Sequence, residues 1–420
     1  MALALYRGVI GALAPAVLRA RTRRGKEDAA RLGERRGVAS RPRPEGTLIW
    51  IHGASVGESL AVLPLVSKLL EKPDRHVLIT TGTVTSARLM AERLPPRAFH
   101  QYAPIDTGAF VRRFLTHWRP DLALFVESEL WPNLILGTRA LGIPMALVNA
   151  RFTEKSYKGW KRAANLARRI VSAFDATLAQ DGPIANRLIA FGAKRVQIVG
   201  SLKADAPPLP VDEVALEAFR ASAGARPVLL ASSTHPGEDE LMLEAARALH
   251  IDYSDLLTVI VPRHPQRGAE IQALAKTGGF SAARRSTGAL PASTTQIYVA
   301  DTLGELGLFY RAAPFAFMGG SLVPHGGQNP LEPARLDKAI IAGPHTGNFE
   351  ETFRALLDAQ GEGRVHSAAE LASLAKKWLA DPALTSALGA RAEAAAEAMG
   401  GALAATVELA ENLLRTYARP

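Results

Sequence analysis

From Gly46 onward, short apolar or β-branched runs alternate with segments long enough for a helix, and this alternation predicts two α/β domains. Thr47–His52, His76–Thr80, Leu122–Val126, Met145–Asn149 and Ala176–Ala179 read as strands, each followed by a helix-length stretch. Strands this apolar, separated by helices, belong in a parallel sheet covered on both faces. The rhythm breaks at Ala206-Pro207-Pro208-Leu209-Pro210, the most proline-dense stretch of the chain, which predicts a stiff linker over residues 206–212. It resumes with Val228–Ala231, Leu257–Val261, Ile297–Ala300, Ala312–Met318 and Ala339–Ala342, and Ala-rich helical segments run from Ala368 to Tyr417. The expected organisation is an N-terminal segment over residues 1–44, an α/β domain over 45–205, the linker, a second α/β domain over 213–400 and a C-terminal helix over 401–420. Two Rossmann-like, doubly wound domains of this kind place a ligand cleft between the carboxyl ends of their sheets.

The predicted strand ends carry the candidate chemistry. Ala312–Met318 empties into a loop with Gly319, Gly320, Ser321, Gly326 and Gly327 before Asn329-Pro330 opens a helix. Close backbone approach and a helix N-terminus suit a phosphate; equally, Asn329 and Glu332 can form an ordinary capping box. His52-Gly53-Ala54-Ser55-Val56-Gly57-Glu58 contains neither a dinucleotide nor a nucleoside-triphosphate fingerprint, and Ser55 with Glu58 can also be a simple capping box. Glu127-Ser128-Glu129-Leu130-Trp131 sets two carboxylates beside a tryptophan, a combination costly to bury without partners. Asn149-Ala150-Arg151 means little alone. Ser233-Thr234-His235-Pro236-Gly237-Glu238 and Pro262-Arg263-His264-Pro265 bring hydroxyls, histidine and arginine to neighbouring strand ends, a set suited to a phosphoester, with Arg263 as the charge partner. Each also has a plain reading as a cap or a solvated turn.

Composition narrows the classes. A chain of 420 residues exceeds one ordinary core, and two domains are expected. Cysteine is absent, which removes disulfides, thiolate metal sites and a cysteine nucleophile. The net charge is +10, but residues 1–44 hold eleven Lys/Arg against three Asp/Glu and so carry +8 of it. The body of the chain shows no basic stripe interleaved with aromatics, so no nucleic-acid partner is expected. Met1 to Ala20 is apolar apart from Arg7 and Arg19 and is followed by Arg21-Thr22-Arg23-Arg24-Gly25-Lys26, the reverse order of a secretory signal. An anchor at a membrane surface fits this segment, as does a first helix packed on the domain with a solvated basic face. No other stretch is expected to span a bilayer.

His52–Glu58, Glu127–Asn133, Asn149–Arg151, Gly200–Lys203, Ser233–Glu238, Val261–Pro265, Asp301–Leu306 and Gly319–Pro333 together make the chain resemble the bacterial Kdo transferases of lipopolysaccharide synthesis, in the same order from about Arg31 to Asn348. The resemblance implies the two-domain GT-B glycosyltransferase architecture, CMP-Kdo as donor and a phosphorylated lipid A precursor as acceptor. It also implies an N-terminal anchor on the cytoplasmic face of the inner membrane. By the same resemblance Glu34, in Leu32-Gly33-Glu34-Arg35-Arg36-Gly37, is the general base, although by sequence alone it reads as one more charge on a solvated basic helix. Ser55, Gly57, Glu58, Glu129 and Arg151 are implied on the acceptor or sugar side. Lys203, Ser233, Thr234, His235, Arg263, His264, Gly319, Gly320, Ser321, Asn329 and Glu332 are implied on the CMP side, with the Gly319–Ser321 backbone and Arg263 on phosphate and Asn329 and Glu332 at the ribose. No cofactor or metal is implied, because CMP-Kdo is itself a substrate whose leaving group has one phosphate. Gln328, where the family more often has histidine, and Phe152-Thr153 depart from the pattern. The rival expectations are another GT-B enzyme using a UDP-sugar and a non-catalytic, membrane-peripheral binder of nucleotide sugars.

Overall fold

The computed structural model describes residues 2–417. Seven parallel strands form the first sheet: β1 (Thr47–His52), β2 (Arg75–Thr81), β3 (Ala98–Tyr102), β4 (Leu122–Val126), β5 (Met145–Ala150), β6 (Ala176–Ala179) and β7 (Val196–Ile198), in the order β3-β2-β1-β4-β5-β6-β7. Six more form the second: β8 (Val228–Thr234), β9 (Leu257–Pro262), β10 (Ala282–Arg284), β11 (Ile297–Val299), β12 (Phe315–Met318) and β13 (Ala339–Ala342), ordered β10-β11-β9-β8-β12-β13. Both are doubly wound. Strand order reverses between β1 and β4 in one and between β8 and β12 in the other, and such switch points open a crevice at the carboxyl ends of the strands.

The interior strands were legible because they are apolar on both faces. Leu48, Trp50, Ala123 and Phe125 pack on one side of the first sheet, and Ile49, Ile51, Leu122 and Leu124 on the other. The second sheet is covered likewise, with Phe315, Phe317 and Ile341 meeting Trp378 and Leu371. Three strands escaped the pattern, β3, β7 and β10, and all lie at sheet edges. β3 carries His100 and Gln101, while β7 and β10 have three residues each, too few for a period to register. The predicted strand Ala312–Met318 is shorter than expected, because the helix Leu306–Ala312 takes its first residue.

The chain divides into two compact units, Met1–Ala206 with Met399–Pro420, and Pro207–Ala398. The C-terminal helix Ala402–Thr416 therefore returns to the first sheet, where Ala402, Ala410 and Leu413 enter the core beside Leu65 and Leu69. Glu411 clasps Arg75 through two bonds of 2.6 and 2.7 Å, and the Asp205 carboxylate accepts the Gly401 and Leu403 N–H groups at 2.7 Å each. The proline-rich stretch adheres to the second unit: Arg311 donates to the Leu209 carbonyl at 2.8 Å, and a Cβ on Gly307 would meet the Pro210 oxygen at 2.4 Å.

Residues 1–44 are not a separate piece. The helix Ala2–Arg23 buries Ala14 and Leu18 and leaves Leu5, Val9, Leu13 and Val17 exposed, one every fourth residue and hence along one face. Among the described residues it is the one helix long and apolar enough to cross a membrane, by length and composition alone. The segment after it threads into the first unit, where Arg35 donates to the Ala103 carbonyl at 3.1 Å and also to the Gly82 carbonyl.

Candidate functional site

In the first unit a cluster of candidate side chains lies at the ends of β4 and β5, beside the β1/β4 switch point. Glu127 directly follows β4 and Asn149 lies near the end of β5, both with positive φ, 57° and 49°. Left-handed backbone is costly for residues with a Cβ, and its recurrence at two adjacent strand ends marks a constrained loop cluster. The buried Asn149 fixes that cluster: its Oδ1 accepts from Gln180 Nε2 at 3.0 Å, Ser201 Oγ at 3.2 Å and Leu202 N at 3.1 Å, and its Nδ2 donates to Glu127 Oε1 at 3.4 Å. Lys203 Nζ then pairs with Glu127 Oε1 at 3.2 Å. Lys203, expected with the CMP residues, thus belongs to the first unit and there neutralises a carboxylate.

Glu58, Glu127 and Glu129 are close enough to feel one another. Burial, with Glu58 and Glu127 adding to it, pushes the Glu129 carboxyl up to about 7, against the Trp131 Nε1–H bond at 2.5 Å. His52, wholly buried, is held down at about 3 by desolvation, so its Nε2, 3.8 Å from Glu129 Oε2, belongs to a neutral ring and makes no ion pair. Its other nitrogen meets Thr80 Oγ1 at 2.9 Å. The Glu129 value lies above that of an unfolded glutamate, so the protonated form contributes stability that is full below about pH 4 and is lost as pH rises through about 7. Glu129→Gln, which cannot ionise, should flatten that decline: the melting temperature of the variant should fall less between pH 5 and pH 8 than that of the parent. Equal slopes would remove Glu129 from the acid-linked set.

Two expectations at this end change. Ser55 and Glu58 bind each other, with Ser55 Oγ donating to Glu58 Oε1 at 2.7 Å and accepting the Glu58 N–H at 3.2 Å, while Glu58 Oε2 takes the Ala54 N–H at 2.7 Å. They close the turn after β1 as a capping box, with Ser55 exposed and Glu58 buried, and Gly57 is exposed with open space around it. Arg151 is also exposed, directly after β5. Glu34 departs from its plain reading in the other direction, being 2% exposed rather than solvated. Its carboxylate accepts a two-pronged contact from Arg31 at 2.9 and 2.8 Å, and Oε2 also takes the Tyr102 N–H at the end of β3 at 2.8 Å. Arg31 and Arg35 both lie over the Tyr102 ring, at 4.7 and 4.8 Å, and burial, reinforced by these two guanidiniums, holds His100 down at about 3.

In the second unit the β8/β12 switch point is organised by a residue the sequence did not single out. Glu238 is fully buried, and its carboxylate accepts the N–H groups of His235 at 3.0 Å, Gly320 at 2.6 Å, Ser321 at 3.0 Å and Leu322 at 3.0 Å. The Gly319 N–H goes to the Ser232 carbonyl at 2.8 Å. The backbone donors expected to hold a phosphate at Gly319–Ser321 are therefore all committed, because an internal carboxylate already fills the anion position. Gly319 is required for another reason, since a Cβ there would meet the Ser233 oxygen at 2.2 Å. Thr234 is likewise committed: its hydroxyl donates to Asp239 at 2.7 Å, which binds Arg267 at 2.6 Å.

What remains open to a ligand lies around this knot. Arg263 and His264 are exposed on the loop after β9, and Arg263 is tethered by its N–H to the Thr234 carbonyl at 3.0 Å. His235 stacks on His325 with ring centroids 3.7 Å apart, and Gln328 Nε2 donates to its Nε2 at 2.9 Å, which makes the ring an acceptor there. Burial and the neighbouring His325, His264, Arg263 and Arg267 lower His235 to about 4, so it is neutral at physiological pH. Ser233, with φ 58°, is forced out of the strand conformation beside them. Burial raises the Glu332 carboxyl, while Asn329 and Arg263 oppose the shift; Asn329 donates to it at 3.3 Å and accepts the Leu331 N–H at 3.2 Å. Asn329 thus turns the chain into the helix Leu331–Ala334 and binds Glu332, without forming a capping box.

Residues 30–206 match the family described as 3-deoxy-D-manno-octulosonic-acid transferase (kdotransferase). A 3-deoxy-D-manno-octulosonic acid transferase of Haemophilus influenzae is 38% identical over 350 residues, 81% of each chain, and one of Bordetella pertussis is 37% identical over 399 residues, 92% of this chain and 91% of that one. Among solved structures, the UDP-GlcNAc 2-epimerase of Neisseria meningitidis superposes with a TM-score of 0.57 at 15% identity, covering 87% of this chain and all of that one, and so shares the GT-B-like fold. With two doubly wound units and relatives matched over most of their length, the chain belongs to the 3-deoxy-D-manno-octulosonic acid (Kdo) transferase family of glycosyltransferases.

Proposed function

We propose that the chain transfers Kdo from CMP-Kdo to a phosphorylated lipid A precursor, lipid IVA, in lipopolysaccharide synthesis, with inversion at the anomeric carbon. The observation that carries the reading is the buried carboxylate of Glu34, oriented at the carboxyl edge of the first sheet by the Tyr102 N–H. Its Oε1 accepts a single Arg31 proton among the described residues, which leaves a lone pair for the acceptor hydroxyl. Glu34 takes the acceptor hydroxyl's proton as its oxygen attacks the anomeric carbon, the bond from that carbon to the CMP phosphate oxygen breaks, and CMP departs with the electron pair. Exposed Arg263 meets the leaving phosphate, and Glu332 with Asn329 meets the ribose hydroxyls. A single phosphate leaving group needs no metal to bridge a diphosphate, and no cofactor enters the scheme. The exposed Leu5, Val9, Leu13 and Val17 face, followed by the basic run from Arg19 to Lys26, would lie on the cytoplasmic surface of the inner membrane.

Incubation of the purified protein with CMP-Kdo and a tetra-acylated lipid A precursor, read by mass spectrometry, tests the reading. Addition of Kdo with release of CMP is the expected result. CMP binding without any Kdo addition would sink it in favour of a non-catalytic binder, and turnover of a UDP-sugar instead would move the chain to another GT-B activity.

A further inference from the structure

The loop Glu127–Trp131 runs from β4 into the helix Pro132–Ala140 without a means of capping it. Its N-cap residue is Trp131, which makes no side-chain cap, and Pro132 has no N–H. The unpaired N–H groups of the first turn, on buried Asn133 and Leu134, are satisfied from outside. Asp106, 2% exposed and lying between β3 and the helix Gly108–Trp118, accepts the Asn133 N–H on Oδ2 at 2.9 Å and the Leu134 N–H on Oδ1 at 2.7 Å. Its main-chain oxygen accepts from Asn133 Nδ2 at 2.5 Å. This borrowed cap is itself held from the N-terminal helix: Tyr6 Oη–H donates to Asp106 Oδ2 at 2.8 Å and Arg7 Nε–H to Asn133 Oδ1 at 2.8 Å. Two consecutive residues of the N-terminal helix, Tyr6 half-buried and Arg7 exposed, therefore reach across one hundred positions of sequence or more to the first turn of the helix that follows the loop. That loop carries Glu129 and Trp131, bonded to each other at 2.5 Å, with Trp131 42% exposed.

We infer that Tyr6 and Arg7 are positioning residues for acceptor binding, acting through Asp106 and Asn133 to hold the Glu127–Trp131 loop in place. The inference rests on the proposed reading that this loop faces the acceptor. An N-terminal helix that served only to adhere to a lipid surface would need its apolar face and its arginines, but not a tyrosine bonded to a buried aspartate. Here the same helix carries both devices, so whatever displaces it also removes the two bonds that brace the cap.

The test is a Tyr6→Phe/Arg7→Gln double variant of the full chain, assayed with the acylated lipid precursor and, separately, with its water-soluble deacylated counterpart. Loss of the two hydrogen bonds should raise KM for both acceptors about thirtyfold, with KM for CMP-Kdo unchanged. Amide hydrogen exchange at Asn133 and Leu134 should quicken while the second unit keeps its rates. An effect confined to the lipid acceptor would overturn the inference and leave the helix as an adhesive alone, as would unaltered exchange at those amides. If the double variant does not fold, Tyr6→Phe alone carries the same comparison, and Arg7→Lys, which keeps the charge and a donor, should raise KM less than Arg7→Gln. Absence of Kdo transfer by the parent protein would count against the proposed function, while the exchange measurement would still decide the cap.

Discussion

Glu34→Gln is expected to slow Kdo transfer by about 10² to 10⁴-fold, the usual contribution of a general base, while CMP affinity stays at the parent value. Glutamine keeps the shape and one acceptor oxygen for the Tyr102 N–H, so the architecture around it survives even though the Arg31 pair loses its charge. Glu34→Ala removes more. It leaves the Tyr102 N–H in a buried site without its acceptor and should cost about 1–3 kcal/mol of stability in addition to the loss of turnover. The two variants together separate chemistry from support. A glutamine variant that transfers Kdo at the parent rate would end the proposed role of Glu34, and a parallel decline in melting temperature and CMP binding would make it a structural residue.

Glu238→Ala should be the most damaging change in the second unit. Four backbone N–H groups, from His235, Gly320, Ser321 and Leu322, would lose their acceptor inside a fully buried site, and a penalty of about 3 kcal/mol or more follows even if water enters to replace some of the bonds. The loops after β8 and β12 would then separate, carrying His235 and its stacked partner His325 with them. Titration calorimetry with CMP should therefore show a large loss of affinity alongside a lowered denaturation midpoint. Glu238→Gln should be intermediate, because an amide offers one acceptor oxygen and turns its NH₂ toward donors. Parent-like CMP affinity in Glu238→Ala would detach this knot from the donor site.

Neighbouring glycines explain why the second site was only half readable. Gly319, Gly320, Gly326 and Gly327 announce close backbone approach, which is true, but the sequence does not say what approaches. For Gly319 it is the Ser233 carbonyl and for Gly326 the Asn348 side chain, 2.2 and 2.7 Å from an added Cβ, not a ligand. Nor could the sequence rank Glu238 above its neighbours in Ser233-Thr234-His235-Pro236-Gly237-Glu238, since its importance comes from donors more than eighty residues away. Ser55 and Glu58 show the opposite case. Their spacing of three allowed a capping box from the start, and a bond between residues one helical turn apart needs no tertiary information.

The pattern of apolar runs by itself determined that the chain builds two parallel, doubly wound sheets, because strands buried on both faces must be apolar at nearly every position and helices must separate them. Its motifs determined the family, and so the fold and the class of reaction. The tertiary structure decided what depends on partners distant in sequence: that the C-terminal helix returns to the first sheet, that Glu34 is buried beneath Arg31 instead of solvated, and that Glu238 occupies the anion position once assigned to phosphate. It decided as well that Tyr6 and Arg7 hold a cap at Asp106 and Asn133. Periodicity and local spacing report the faces and turns of an element, whereas the partner of a buried carboxylate is set by which strand ends the topology brings together.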